Sequence, residues 1–151
     1  MTDTSIRLEP ITEANVKAVF ELKVAPGQEA FVASNAWSLA QAFAEADIAW
    51  PRAVVSGGEV VGFLMLEIDP AEEHGRPFWL WRLMVGAPFQ RLGYGSAALA
   101  LGIEEVRRRG GTELWTSWVE AEAGPGPFYT ARGFEPTGEI DDGEVVARRR
   151  V

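Results

Sequence analysis

Residues 90–96 read Gln-Arg-Leu-Gly-Tyr-Gly-Ser and stand directly before a long amphipathic stretch. Glycines at 93 and 95 permit a tight turn there and leave the first amides of the following helix pointing outward. Unpaired N–H groups at the positive end of a helix dipole form a site for an anion. Arg91 adds a full positive charge beside it. The chemistry open to this loop is therefore the holding of a phosphate. The same glycine pair also serves as a plain cap or turn, and by itself it does not decide between the two.

What the chain lacks narrows the remaining chemistry. It has no cysteine, which removes disulfides and thiolate catalysis. Its single histidine, His74, lies in the turn-like stretch DPAEEHGRP. One histidine argues against a histidine-based metal site and against a Ser-His-Asp triad, so no metal is expected. The formal net charge of −8 disfavours nonspecific nucleic-acid binding, which needs a basic face, and slightly favours a cationic substrate. No apolar run approaches a membrane span, and MTDTSIRLEP carries no signal-peptide core. The expectation is a soluble cytoplasmic protein without membrane partners.

The elements that must position the loop follow from periodicity. With 151 residues, of which 47% are hydrophobic, one domain covering 1–151 with a real core is expected. Residues 5–11 alternate as an opening strand. Residues 12–24 have helical spacing with Thr12 as a candidate N-cap, and residues 30–46 form a second helical stretch, kinked near Ser34 and Asn35. Residues 52–68 read as a hairpin about Ser56-Gly57-Gly58-Glu59. FWLWRLMV, residues 78–85, is a third long strand, and the helix over 95–109 ends at Gly110-Gly111. A strand at 112–119, a short helix or turn at 124–133 and a closing hairpin about Asp141-Asp142-Gly143 complete the chain. The order is β-α-α-β-β-β-α-β-α-β-β, a mixed α/β pattern.

Two readings compete for the loop. Gly93-x-Gly95-x-x-Ala98 matches a dinucleotide fingerprint, with Glu120 at a plausible distance for a ribose contact. Against it, GAPFQR intervenes between Val85 and Gly93, and too little chain follows for further βαβ units. The second reading is carried by two motifs in order. Gln90-Arg91-Leu92-Gly93-Tyr94-Gly95 follows a strand ending in Met84-Val85, and Phe128-Tyr129-Thr130-Ala131-Arg132-Gly133-Phe134 comes later. In both motifs, and over nearly its whole length, the chain resembles the GCN5-related N-acetyltransferases, the GNAT family. Within that family, residues 22–42 and 137–150 look most like bacterial spermidine and diamine acetyltransferases.

The resemblance implies a central, mostly antiparallel twisted sheet flanked by helices, with acetyl-coenzyme A as cosubstrate. It implies that the loop amides of Gln90, Arg91, Leu92, Gly93, Tyr94 and Gly95, with Ser96, hold the pyrophosphate. Met84 and Val85 would meet the pantetheine arm through their backbone, and Phe128 would flank the cofactor. Tyr129 would be the acid that protonates the departing thiolate. The chain departs from the pattern at Trp81, where polyamine-acetylating relatives often carry an acid, and at Glu122, in the region of the usual asparagine. Glu120 and Glu67, each at a strand end, are the substitutes for the base, with a water relay also open. Arg107, Arg108 and Arg109 suit a helix C-terminus, with the cofactor's 3′-phosphate as the other reading. Trp79 and Trp81 share a face if their strand is regular, either as core or as an aromatic wall for a cationic chain.

The function so implied is acetyl transfer to the primary amine of a small molecule, a polyamine or diamine being one choice. An amino acid, a peptide N-terminus or an aminoglycoside remain open as acceptors. So does a non-catalytic module that senses acetyl-coenzyme A. A homodimer is the expected assembly.

Overall fold

Two tight turns set the sheet's pairing. Strand β2 (Ala49–Ser56) returns as β3 (Glu59–Ile68), with Ser56 facing Glu59. The residues between them, Gly57 and Gly58, both have positive φ, at 56° and 81°. That is the type I′ geometry whose twist matches the strands, and it explains why glycines stand there. Strands β6 (Glu135–Asp141) and β7 (Glu144–Arg150) are joined in the same way through Asp142 and Gly143. The structure, a computed structural model, describes residues 5–151. Residues 1–4, part of the N-terminal stretch read above for a targeting signal, lie outside the described residues.

The remaining elements are β1 (Arg7–Pro10), α1 (Val16–Glu21), α2 (Asn35–Ala44), β4 (Phe78–Val85), α3 (Tyr94–Arg108), β5 (Glu113–Trp118) and α4 (Gly126–Thr130). Their order along the chain is the expected one. The seven strands form one sheet in the order β1-β2-β3-β4-β5-β7-β6. Every neighbouring pair is antiparallel except β4 with β5.

Alternation along β3 sends its side chains to two layers. Leu64 and Leu66 pack with Leu99, Ile103 and Val106 of α3. Phe63 and Met65 face the opposite side, with Val19 of α1, Ala42 of α2 and Met84 of β4. Both helices on that second side are shorter than the periodicity predicts. The Asn15 side chain accepts from the Thr12 amide at 2.8 Å and donates to the Pro10 carbonyl at 2.9 Å, a local turn that delays α1. Ser34 Oγ accepts from the Trp37 amide at 3.1 Å, so the expected kink is in fact the N-cap of α2. No helix among the described residues is long and apolar enough to cross a membrane.

Strand β4 carries two irregularities. Its pairing with β3 shifts between Met65 and Leu66: Met65 faces Arg82 while Leu66 faces Leu80, so Trp81 is the extra residue of a bulge. Its parallel pairing with β5 consists of one register position, Trp79 with Trp115. One residue further along β5, the Thr116 hydroxyl donates to the Leu80 carbonyl at 3.1 Å. Beyond that bond the two strands splay apart.

Candidate active site

A cleft of about 870 Å³ opens at the splay, bounded by β4, the 90–96 loop, α4, and the segment between α1 and α2. The loop is anchored at its start by the Gly86 amide to Val61 O at 2.9 Å and the Ala87 amide to Lys23 O at 2.7 Å. A single 3-10 turn, Ala87–Phe89, follows. The Gln90 side chain then donates from Nε2 to Val85 O at 2.9 Å and to Gln28 Oε1 at 2.8 Å, tying the loop to β4 and to the α1–α2 segment. Arg91 at φ 63° and Gly93 at φ 89° are both left-handed, and between them they turn the chain into α3. The first bond closing α3 runs from the Ala97 amide to Gly93 O at 3.1 Å. The amides of Gly95 and Ser96 therefore have no acceptor inside the helix.

Gly95 lies against the Phe128 ring and Val85. A Cβ added there would meet the ring carbons at 3.5 Å and Val85 Cγ2 at 3.6 Å, so one methyl fits and a branched side chain does not. Arg91 is exposed beside the loop. On the other flank, the Arg132 guanidinium stacks over Phe128 at 3.9 Å, and its Nη1 donates to Phe128 O at 2.9 Å. Its Nε is buried without a partner. The loop at Gly95 and the Arg132 guanidinium thus both contact the Phe128 ring.

The expected loop residues differ in what their side chains do. Met84 is buried in the layer beneath α1 and α2, which leaves only its backbone for the cleft. Leu92 is exposed. The Tyr94 ring packs against the α3-side core, and its hydroxyl accepts from Ser56 Oγ at 3.4 Å. Arg108 and Arg109 both pair with Glu105, which completes the end of the helix.

Tyr129 lines the cleft from α4. Its ring stacks on Trp118 at 5.6 Å and meets Phe128 and Phe134 edge-on at 5.1 and 5.5 Å. The hydroxyl has no hydrogen-bond partner among the described residues. Burial pushes the phenol well above its ordinary range, so it stays protonated and able to donate.

The two candidate bases part company. Glu120 is exposed at the end of β5 and outside the cleft lining, its carboxylate accepting from Trp118 Nε1 at 3.2 Å. Glu67 lines the cleft, half-buried at the end of β3. Its desolvation, reinforced by Asp69, Glu45 and Glu72, raises its pKa above the ordinary carboxylate value. Opposite Glu67 stands Trp79. Residues paired across antiparallel strands share a face, so both lie on the α1–α2 side with Met65 and Arg82.

Trp81 shares the face of Trp79, packed against the Val19 cluster, and the bulge brings Arg82, which plain alternation would send to the other layer, onto that side as well. Arg82 reaches α2, where Nε donates to Ser38 Oγ at 3.1 Å and Nη2 to Gln41 Oε1 at 2.8 Å. From the β5–β7 side Ser117 Oγ donates to Glu144 Oε1 at 3.4 Å, and both line the cleft. Arg82, Ser117, Glu144, Gln28 and Arg132 were not singled out from sequence. The one available signal was an arginine inside the otherwise apolar run FWLWRLMV.

A twisted sheet splayed at one parallel pair, with an amide-lined loop at the mouth of the splay, is the framework of an acyltransferase. The chain matches the Acetyltransferase (GNAT) family over residues 16–134 and belongs to that family. It is similar in fold to an acetyltransferase from Thermus thermophilus, at 20% identity with 100% of both chains covered and a TM-score of 0.77. A PaiA N-acetyltransferase from Thermoplasma acidophilum in complex with coenzyme A shares the fold at 14% identity, covering 97% and 99% of the two chains, TM-score 0.72. So does the ribosomal-protein-S18-alanine N-acetyltransferase from Escherichia coli, at 15% identity, 97% and 94% coverage and TM-score 0.71. No curated protein matches the chain in sequence. Seven strands flanked by helices in this order are the expected mixed α/β GNAT fold.

Proposed function

We propose that the protein transfers the acetyl group of acetyl-coenzyme A to the primary amine of a small molecule. The observation that carries this reading is the cleft itself. Gly93, Gly95, Tyr129 and Glu67 all line it. Acetyl-coenzyme A supplies the acetyl group as a thioester, whose C–S bond breaks as the amine's N–C bond forms.

The chain's residues fit that cosubstrate on their own evidence. The loop has unspent amides, Gly95 leaves the room that a side chain would fill, and Arg132 carries an orphaned Nε. Gly93, Gly95 and Ser96 would hold the pyrophosphate through backbone N–H groups, with Arg91 and Arg132 as flanking charges. Gln90 acts by bracing the loop against Val85 and Gln28. The backbone at Met84 and Val85 would meet the pantetheine arm.

Glu67 takes the amine's proton, directly or through a water, and its raised pKa brings it nearer to operating pH. Asp69, Glu45 and Glu72 add negative potential that favours a cationic amine. Tyr129 gives its proton to the departing sulfur and recovers one from water. A diamine or polyamine is one acceptor class to test, and an amino acid or peptide is another, as the S18-alanine enzyme of the same fold acts on a protein. The test is turnover of acetyl-coenzyme A against a panel of amines, amino acids and peptides, read by free-thiol release and product mass. Saturable thiol release that depends on an amine is expected. Calorimetric binding of acetyl-coenzyme A with no release for any amine would leave a binding module instead.

A further inference from the structure

The mixed charge of the acceptor end says more about the acceptor than the overall acidity does. The Arg82 guanidinium is half-buried on the cleft-facing side of β4. It has five N–H donors, of which three are used: Nε on Ser38 Oγ, Nη2 on Gln41 Oε1 and Nη1 on the Trp81 carbonyl at 2.8 Å. All three acceptors are neutral, and Arg82 forms no ion pair with any described residue. Glu144 exerts a favourable charge effect on it without pairing with it, and is engaged by Ser117. The three bonds hold the fork rigidly while one donor on each Nη stays unspent. A desolvated guanidinium held in this way is a receptor for a planar anion, and carboxylate is the group that its fork matches.

Register places this receptor beside the proposed base. Arg82 faces Met65, and Glu67 lies two residues further along the same face of β3. Two residues of strand span roughly 7 Å. From these observations we infer that the acceptor is a short amino acid, a primary amine and a carboxylate separated by one to three carbons, whose carboxylate is held by Arg82 while its amine lies toward Glu67. This rests on the acetyltransferase reading given above. A diamine of similar length would set an ammonium against Arg82, a like-charge contact that Glu144 offsets only in part. The reaction stays balanced as before: the N–C bond forms, the C–S bond breaks, and the carboxylate is untouched.

The test is a matched pair of acceptors of equal length, 4-aminobutyrate against 1,4-diaminobutane, with alanine against ethylamine as a second pair, each with saturating acetyl-coenzyme A. The carboxylate member should have the higher kcat/KM by about 10- to 100-fold, the range of a lost charge-assisted hydrogen bond. In Arg82→Gln that ratio should collapse toward one, chiefly through KM. Arg82→Lys, which keeps the charge and loses the fork, should fall between. Circular dichroism and thermal melting check that α2 keeps its seat in the variants; should Arg82→Gln not fold, the matched pairs on the parent protein still decide. Preference for the diamine, or equal loss on both members in Arg82→Gln, overturns the inference. Turnover of diamines alone sinks this substrate class and leaves the acetyltransferase standing. Absence of thiol release with every amine sinks the acetyltransferase reading itself.

Discussion

Replacing Glu67 by Gln removes one ionisable group and little volume, and the consequences can be worked out for both rate and stability. An alkyl amine with a pKa near ~10.4 is neutral in only about one molecule in 2,500 at pH 7. A base that takes the proton within the complex can recover up to that factor, consistent with the general range of about 10²–10⁴-fold. In E67Q, kcat/KM should therefore fall at least about 100-fold at pH 7. The deficit should shrink about tenfold per pH unit and nearly vanish by about pH 10, where the amine arrives neutral. Stability should move the other way. Burial and the carboxylates of Asp69, Glu45 and Glu72 raise the folded-state pKa of Glu67. The folded protein then binds that proton more tightly than the unfolded chain, so stability falls as pH rises from the ordinary carboxylate pKa of about 4.3 through the raised value. Gln carries no such cost. E67Q should melt higher than the parent at pH 7, and the difference should close below about pH 4. Stopped-time thiol assays across pH and thermal melts at the same pH values measure the two effects. Parallel pH–rate profiles for parent and E67Q, or the pH-dependent loss appearing in E120Q instead, would refute the assignment.

Tyr129→Phe keeps the ring contacts with Trp118, Phe128 and Phe134 and deletes a hydroxyl that has no partner among the described residues. Its melting temperature should stay close to the parent's while kcat falls about 10²–10⁴-fold, and a kcat within a factor of about two would make the phenol structural. Gly93→Ala forces a Cβ onto φ 89°, a cost of roughly 1–2 kcal/mol. Calorimetry should show acetyl-coenzyme A binding about tenfold weaker, and undiminished affinity would remove the loop from the phosphate role. Gly95→Val puts branches where only a methyl fits between Phe128 and Val85, and it should weaken the same binding without the backbone strain of Gly93.

The order of elements was legible because its signals are local. Both hairpins announce themselves through residues that accept positive φ, Gly57-Gly58 and Asp142-Gly143. The loop at 90–96 was legible for the same reason, since its turn residues precede a helix whose apolar spacing is plain. Helix starts were less so. Thr12 looks like a cap, yet Asn15 takes the local bonds; residues 30–33 continue the helical pattern, yet Ser34 caps after them. Side-chain competition for backbone groups is decided by a few ångströms of local geometry, which periodicity does not report.

The acceptor end was legible least, because it is made by register between strands far apart in sequence. Trp81 stands where the family resemblance places an acid, and read along one strand that looks like a missing base. The pairing of β3 with β4 changes the question. The bulge at Trp81 turns Arg82 onto the face that Trp79, Trp81 and Glu67 share. A carboxylate supplied from β3 therefore reaches the same side of the sheet that a β4 acid would occupy, and β4 is free to present a tryptophan and an arginine. Glu120, two residues past the end of β5, is exposed and outside the cleft lining, with Trp118 Nε1 engaging its carboxylate. One extra residue in one strand thus brings a carboxylate and a guanidinium, from neighbouring strands, to a single cleft.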